Sequence, residues 1–397
     1  MKIVDFKTTV VTVPMEAPLR WSLGVETGTT RTIVEVMTDE GIVGLGETYG
    51  GDATVRALDF LRPMVKDADP FQIETILKKL QVFCISYETF VPAHAVAALD
   101  MACWDIMGKF LKRPVCALLG GTFRKHVPFA GYVFFRYPST DGKRGGEDTP
   151  EKLLDYTEAL MEEHNFSVLK IKGGALPPDQ ELEAMRLIRK RFPKVGLRFD
   201  PNAAWSVGTS INTLRKMSEC DLEYAEDPTW GIEGMSLVRK DVPIPFATNM
   251  CVINFDQIPL GVRTRCVDII LSDVHYWGGL ANNKKLAGVC ETFQIGLGMH
   301  SDRELGVSTA AQIHLAAALP YMTYAPDSHY HHQLDDVITV PFRYEGGGFK
   351  VPTAPGLGVE LDRDKMAKYH RYHEEKGEAG EFLDPFRPDW KPTLPLW

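Results

Sequence analysis

Five short apolar runs each end in a polar residue: Asp200, Glu226, Asn249, Asp273 and His300, separated by 26, 23, 24 and 27 residues. They close Leu197-Arg198-Phe199-Asp200, Tyr224-Ala225-Glu226, Pro245-Phe246-Ala247-Thr248-Asn249, Ile269-Ile270-Leu271-Ser272-Asp273 and Gly296-Leu297-Gly298-Met299-His300. A lysine pair, Lys170 and Lys172, lies just ahead, with Lys172 28 residues before Asp200. Each interval is one strand plus one helix. In a closed parallel barrel every strand's C-terminal end meets at one mouth, so residues this far apart in sequence converge there. The series reads as a single active site.

From Val127 onward, strand and helix patterns alternate strictly. The predicted strands are Val127 to Phe135, Val168 to Gly173, Gly196 to Asn202, Leu222 to Pro228, Ile244 to Met250, Cys266 to Asp273, Gln294 to His300 and Met322 to Asp327. Among the intervening helices, Thr149 is an N-cap before Pro150 at the first helical position, and Leu153, Leu154, Tyr156, Leu160 and Met161 form an apolar stripe. Eight such strands predict an α/β fold, a modified TIM barrel of (β/α)7β type, in preference to an open doubly wound sheet.

The first 125 residues follow another grammar. Strands over Lys2 to Pro14 and Thr30 to Glu47, the second broken by Thr38-Asp39-Glu40-Gly41, precede helices around Thr54 to Lys66, Gln72 to Leu80 and His94 to Leu111. The domain reading is an α+β capping domain over 1–125, the barrel over 126–345 and a tail over 346–397 that packs back on the cap. Two cap segments, Glu16 to Thr30 and Tyr49 to Ala53, are expected as lid loops over the mouth.

Charge and composition exclude several classes. A formal net charge of -9, with no basic stripe, argues against a nucleic-acid surface. No apolar run of about 18 residues is present to span a bilayer, and the start lacks a signal-peptide pattern. Seven scattered cysteines without a CxxC pair read as buried thiols of a reducing cytoplasm.

An acidic residue at a strand end is often only the N-cap of the next helix. Asp200, Glu226 and Asn249 taken together are three oxygen ligands from successive strands, a set that suits a hard octahedral cation, Mg²⁺ before Zn²⁺. Lys170 and Lys172 straddle Ile171, so strand alternation points both the same way, into the mouth or outward into solvent. Facing inward, Lys170 and the cation would depress the pKa of Lys172 toward that of a usable base. Asp273, one strand before His300, would fix the imidazole tautomer and leave the other ring nitrogen for proton transfer.

These residues resemble the enolase superfamily in its mandelate-racemase-type branch, and within it the glucarate dehydratases. The resemblance runs the length of the chain. It is carried by Leu169-Lys170-Ile171-Lys172-Gly173-Gly174, Asp200-Pro201-Asn202-Ala203-Ala204-Trp205, Tyr224-Ala225-Glu226-Asp227-Pro228 and Ala247-Thr248-Asn249-Met250. Asn249 stands where most relatives carry a carboxylate. The resemblance implies Mg²⁺ on Asp200, Glu226 and Asn249, with Lys172 and the Asp273/His300 dyad as the two acid/base groups and Lys170 beside them. It implies substrate contacts from Asn202, His329, Tyr132 and Phe134. Two departures are the shortened tail, which lacks an arginine the family presents to the distal carboxylate, and Arg20-Trp21 in a lid where the family has a histidine. Arg20 is the candidate replacement. The expected partner is a small-molecule acid sugar, a diacid by preference, and the expected assembly is a homo-oligomer. The expected reaction is dehydration to a 2-keto-3-deoxy acid sugar, with racemisation or epimerisation on the same two bases as the alternative and a non-catalytic relative as a third reading.

Overall fold

The structure is a computed structural model and describes residues 1–84, 90–380 and 382–397. Three antiparallel strands, β1 (Ile3–Trp21), β2 (Gly24–Thr38) and β3 (Val43–Tyr49), open the chain. Helices α1 (Asp52–Val65), α2 (Ile73–Cys84) and α3 (Phe90–Leu111) follow. Strand alternation divides the sheet between two cores. Val34 and Val36 pack with Leu58, Leu61, Leu99 and Ile106 of the helices, while Ile33 and Leu45 join the barrel core. Glu47 lies two residues beyond Leu45, and Arg31 pairs with Tyr49 across β2 and β3, so these side chains also face the barrel.

The lid differs from expectation. Residues 16–30 are the tip of a β-hairpin, because Met15, Ala17 and Leu19 alternate inward and give the segment a buried face. A register shift between Pro14 and Leu19 bends the hairpin.

After the short helix α4 (Val115–Leu118) and strand β4 (His126–Pro128), the barrel begins. Its strands are β5 (Ala130–Phe134), β6 (Val168–Lys172), β7 (Gly196–Asp200), β8 (Tyr224–Glu226), β9 (Phe246–Thr248), β10 (Ile269–Ser272), β11 (Gly296–Met299) and β12 (Asp327–Ser328). All neighbouring pairs are parallel, in the order β12-β5-β6-β7-β8-β9-β10-β11. The outer helices are α5 (Pro150–His164), α6 (Pro178–Arg191), α7 (Val207–Met217), α8 (Gly231–Asp241), α9 (Ile258–Thr264), α10 (Leu280–Phe293) and α11 (Gly306–Ala318). The Thr149 hydroxyl accepts from Lys152 N with Pro150 at the first helical position, as the local sequence requires.

Two predicted strands are corrected. Val127 to Phe135 divides at Phe129: β4 turns aside to pair antiparallel with β13 (Gly348–Lys350), and Phe129 N donates to Gly347 O. The eighth strand is not Met322 to Asp327 but Asp327–Ser328. Pro326 has no N–H to donate, and Thr323 and Tyr324 instead donate to Leu297 O, which ties the segment before β12 to β11 and leaves the barrel nearly closed.

The tail does more than cover the cap. It supplies β13 to pair with β4 and helix α12 (Arg363–Lys376) to β1, where His370 Nδ1 lies 2.7 Å from Val10 O. Its last residues return to the barrel, with Leu396 N and Trp397 N donating to Ala204 O. The six described cysteines are buried free thiols, and no described helix is long and apolar enough to cross a membrane.

Among the barrel helices that begin without a side-chain cap of their own are α10, at Gly279, and α11, at Leu305. The cap domain supplies the missing acceptors. Asp100 of α3 accepts from Leu280 N, and Glu47 of β3 accepts from Leu305 N at 2.8 Å and Ser308 N at 2.9 Å.

The cap sheet can lie this close to α3 because β3 presents Gly44 and Gly46. A Cβ on Gly46 would come 2.1 Å from Ala98 O, whereas a Cβ on Gly288, inside α10, would meet nothing within 4 Å. Gly46→Ala is therefore expected to destabilise the fold by about 1–3 kcal/mol through overpacking. Gly288→Ala should stabilise it by about 0.5–1 kcal/mol. Thermal melts of the two variants should move in opposite directions.

Candidate active site

Lys170 and Lys172 both point into the barrel, where Lys170 is fully buried and Lys172 nearly so. The β6–β7 register sets Lys172 opposite Asp200 and Lys170 opposite Arg198. Lys172 Nζ donates to Asp200 Oδ2 at 2.6 Å. Lys170 Nζ lies 2.5 Å from Glu226 Oε2, 2.9 Å from Asp327 Oδ2 and 3.5 Å from Asp200 Oδ2. Burial alone would drive the Lys170 ammonium to lose its proton, but Asp327 and Glu226 outweigh it and hold its pKa well above the ordinary lysine value.

The three proposed ligands end β7, β8 and β9 and converge here. Burial, then the neighbouring Asp200, pushes Glu226 well above the usual carboxylate range; against its own burial, Lys172 and Lys170 hold Asp200 below it. Asn249 joins the cluster to the dyad. With its amide assigned by the hydrogen bonds it can make, Nδ2 donates to Glu226 Oε1 at 3.1 Å and to Asp227 Oδ2 at 3.0 Å, and Oδ1 accepts from His300 Nε2 at 2.9 Å. Turned over, the amide oxygen faces the oxygens of Glu226 and Asp227, a contact that a cation relieves. Two carboxylates and an amide oxygen in one buried cluster fit a hard divalent ion such as Mg²⁺.

His300 Nδ1 lies 2.8 Å from Asp273 Oδ2. The other Asp273 oxygen accepts from His275 N at 2.6 Å and Tyr276 N at 3.0 Å. Although burial opposes it, these bonds hold Asp273 ionised well below the ordinary range. The Tyr276 ring stacks on His300 with centroids 5.6 Å apart. The imidazole is thus fixed on one edge and one face, and Nε2 points at Asn249. Asp273 also forms a cluster with His275 and Glu304, their ligand atoms lying within 4.8 Å of one another. Glu304 there already accepts from Ser301 Oγ and Asp302 N.

The residues expected to contact substrate are placed as follows. Asn202 N donates to Asp200 Oδ1, its φ is +45°, and its side-chain oxygen has no hydrogen-bond partner among the described residues. His329 Nδ1 accepts from Arg303 N and lies 3.1 Å from Ser301 Oγ, which puts the ring proton on Nε2. Burial keeps this ring neutral. Tyr132 and Phe134 pack against His329 from within the barrel. The Tyr132 hydroxyl donates to Asp327 Oδ2 at 3.1 Å and accepts from Lys170 Nζ at 3.0 Å. Arg20 is buried in the seam between hairpin and barrel: Nη2 donates to Ala175 O, and the guanidinium lies 4.7 Å over the Tyr137 ring. Both contacts hold it at the seam.

Three participants escaped the sequence reading. Asp227 receives Thr248 Oγ1, Asn249 N and Met250 N, and so shapes the turn that presents Asn249. Asp327 joins Lys170, Tyr132 and Arg198 in one buried network. Arg198 carried a legible signal, since it stands two residues before Asp200 and alternation puts both on the inner face. A cleft of about 990 Å³ between α5 and segment 330–344 lies outside the ring of strand-end residues and includes Glu16, Arg136, Tyr156 and Arg343.

Known proteins share this architecture. The enolase C-terminal domain-like family matches residues 152–365, and the N-terminal domain of the mandelate racemase / muconate lactonizing enzyme family matches residues 4–120. A protein of Streptomyces coelicolor named "Probable glucarate dehydratase" is 36% identical over 93% of each chain. Muconate cycloisomerase 1 of Rhodococcus opacus is 27% identical over 94% of this chain and 99% of that one. The crystal structure of an enolase from Thermobispora bispora, complexed with magnesium and formate, superposes with a TM-score of 0.93 at 38% identity over 100% of both chains. The two family matches span most of the chain, cap and barrel alike, and with the strand-end geometry they establish that the chain belongs to the enolase superfamily.

Proposed function

We propose that the protein is a Mg²⁺-dependent acid-sugar dehydratase that removes the proton α to a carboxylate and eliminates the β-hydroxyl, giving a 2-keto-3-deoxy acid. One observation carries this reading. Lys172 Nζ and His300 Nε2 each bond a different member of the ligand set, Asp200 and Asn249, so two proton-transfer groups flank one metal cluster. The dehydratase name of the Streptomyces coelicolor relative supports it.

An α-proton beside a carboxylate is weakly acidic, and the handling of enolate charge decides the rate. Bound Mg²⁺ supplies Lewis-acid stabilisation of that charge. The chain's residues supply the rest. One base takes the α-proton, and the C–H electron pair forms the carbon–carbon double bond. His300, protonated on Nε2 and held by Asp273, gives its proton to the departing β-hydroxyl, which leaves as water. The resulting enol ketonises. A Lys or His base with Mg²⁺ is the general pattern already described for this superfamily. A second reading, epimerisation, draws on the same flanking arrangement, since two bases on opposite sides of a carbon also exchange its proton.

Asp200, Glu226 and Mg²⁺ sum to zero charge with the neutral Asn249, one unit less negative than a three-carboxylate site. That favours a doubly charged diacid as substrate. Three measurements test the reading. Purified enzyme with Mg²⁺, screened against mono- and diacid sugars for 2-keto product, should turn over diacids, and His300→Ala should lose about 10²-fold or more; silence on every acid sugar would refute dehydration. Asn249→Asp should shift preference toward monoacids, and unchanged discrimination would remove the charge argument. Mg²⁺ at 100 times its Kd should stabilise the fold by about 2.7 kcal/mol in thermal melts, an effect that Asp200→Ala should abolish.

A further inference from the structure

We infer that Arg31 and Glu47 of the cap sheet are positioning residues for the segment that carries His300. The inference rests on His300 being an acid/base group of the proposed reaction, but the grip itself is read from geometry alone.

After His300 the chain passes through Arg303, a non-glycine residue at φ +62°, before α11 begins. L side chains rarely adopt that conformation unless their surroundings over-determine it. Arg31 supplies the constraint. Its side chain is buried; Nε donates to Arg303 O at 3.1 Å, and Nη2 donates to Asp302 O. One guanidinium fork thus grips two successive carbonyls within three residues of His300. The fork is held in turn by the Tyr49 ring, 4.3 Å beneath Cζ, and by Glu47 Oε1 at 3.7 Å from Nε.

Glu47 secures the far end of the segment. Its two carboxylate oxygens take Leu305 N and Ser308 N, the open donors at the start of α11. Ser308 Oγ lies 2.9 Å from His275 Nε2, and His275 N donates to Asp273 Oδ1. The grip on the helix therefore continues to the partner of His300. Just ahead of the Arg31 anchor, Ser301 contacts His329 Nδ1, so the same segment also seats the candidate substrate histidine. The barrel presents this loop, and the cap holds it in a conformation the loop would not keep alone.

Hydrogen exchange read by mass spectrometry tests this without substrate. In Arg31→Met and Glu47→Gln, amides of 300–309 should exchange about tenfold faster or more, while those of 168–173 in β6 keep wild-type protection. Arg31→Lys, which keeps the buried charge but lacks the fork, should give the same pattern and serves if the methionine variant does not fold. In turnover, kcat should fall about tenfold with KM changed by about twofold or less. Unchanged protection of 300–309 in these variants would overturn the proposal, as would an equal loss across 168–173, which marks general destabilisation. Should no acid sugar be turned over, the exchange pattern still decides the grip, and the functional reading fails by itself.

Discussion

Lys170 sits with no solvent exposure among Glu226, Asp327 and Asp200, and its ammonium is the charge on which the barrel mouth depends. Burying several carboxylates in one dry volume costs many kcal/mol unless each finds a partner. Lys170 answers three of them, Lys172 shares Asp200 Oδ2 with it, and Arg198 takes the second oxygen of Asp327. The ladder between β6 and β7 places these groups at hydrogen-bonding distance without any loop having to order. Asp200, Glu226 and Asn249 would hold a divalent cation, whose charge would add to this balance and favour both carboxylates in the ionised state. Substrate chemistry and charge balance are thus one problem at this mouth.

The cap solves a second problem. A barrel built from short strands, two to five residues each, leaves several of its candidate side chains, Asn249, Asp273 and His300 among them, on the turns just beyond the strands, and turns at this mouth use unfavourable backbone: Asn202, Ala203, Asp227 and Arg303 all have positive φ. Turns of this kind hold their shape only when gripped from outside. Ser22 of the hairpin donates to Asn202 O, Leu396 and Trp397 bond Ala204 O, and Arg31 holds Asp302 and Arg303. Cap, hairpin and tail therefore act on the mouth mainly through backbone carbonyls, and side-chain identity at these anchors matters for how well the turns are held.

Much of this was legible in the sequence, for physical reasons. Parallel strands buried on both faces are mostly apolar until they reach the mouth, so the polar residue that closes each run marks a strand end there. Asp200, Glu226, Asn249, Asp273 and His300 were picked out this way and Lys170 and Lys172 by alternation, and the structure brings them together at one mouth. What stayed hidden depended on partners distant in sequence. Glu47 and Asp100 read as ordinary strand and helix carboxylates, and nothing local shows that they cap α11 and α10. The hairpin over 16–30 read as a loop because its burial comes from residues of the barrel and tail, as in the Trp21–Phe382 contact. The eighth strand was misplaced by its own apolar run, which Pro326 and the Leu297 carbonyl divert. Arg20, the candidate for the distal carboxylate, is tied to Ala175 and Tyr137, contacts that no local pattern announces.

The central claim is that Lys172 and His300 address opposite sides of one substrate carbon. Proton NMR in D₂O, with Mg²⁺ and a pair of diacid sugars epimeric at the α-carbon, tests it most directly. The account predicts that His300→Asn still washes out the α-proton of one epimer and not the other, and that Lys172→Met shows the reverse. Loss of exchange from both epimers in each variant, or from neither, would contradict a two-sided site.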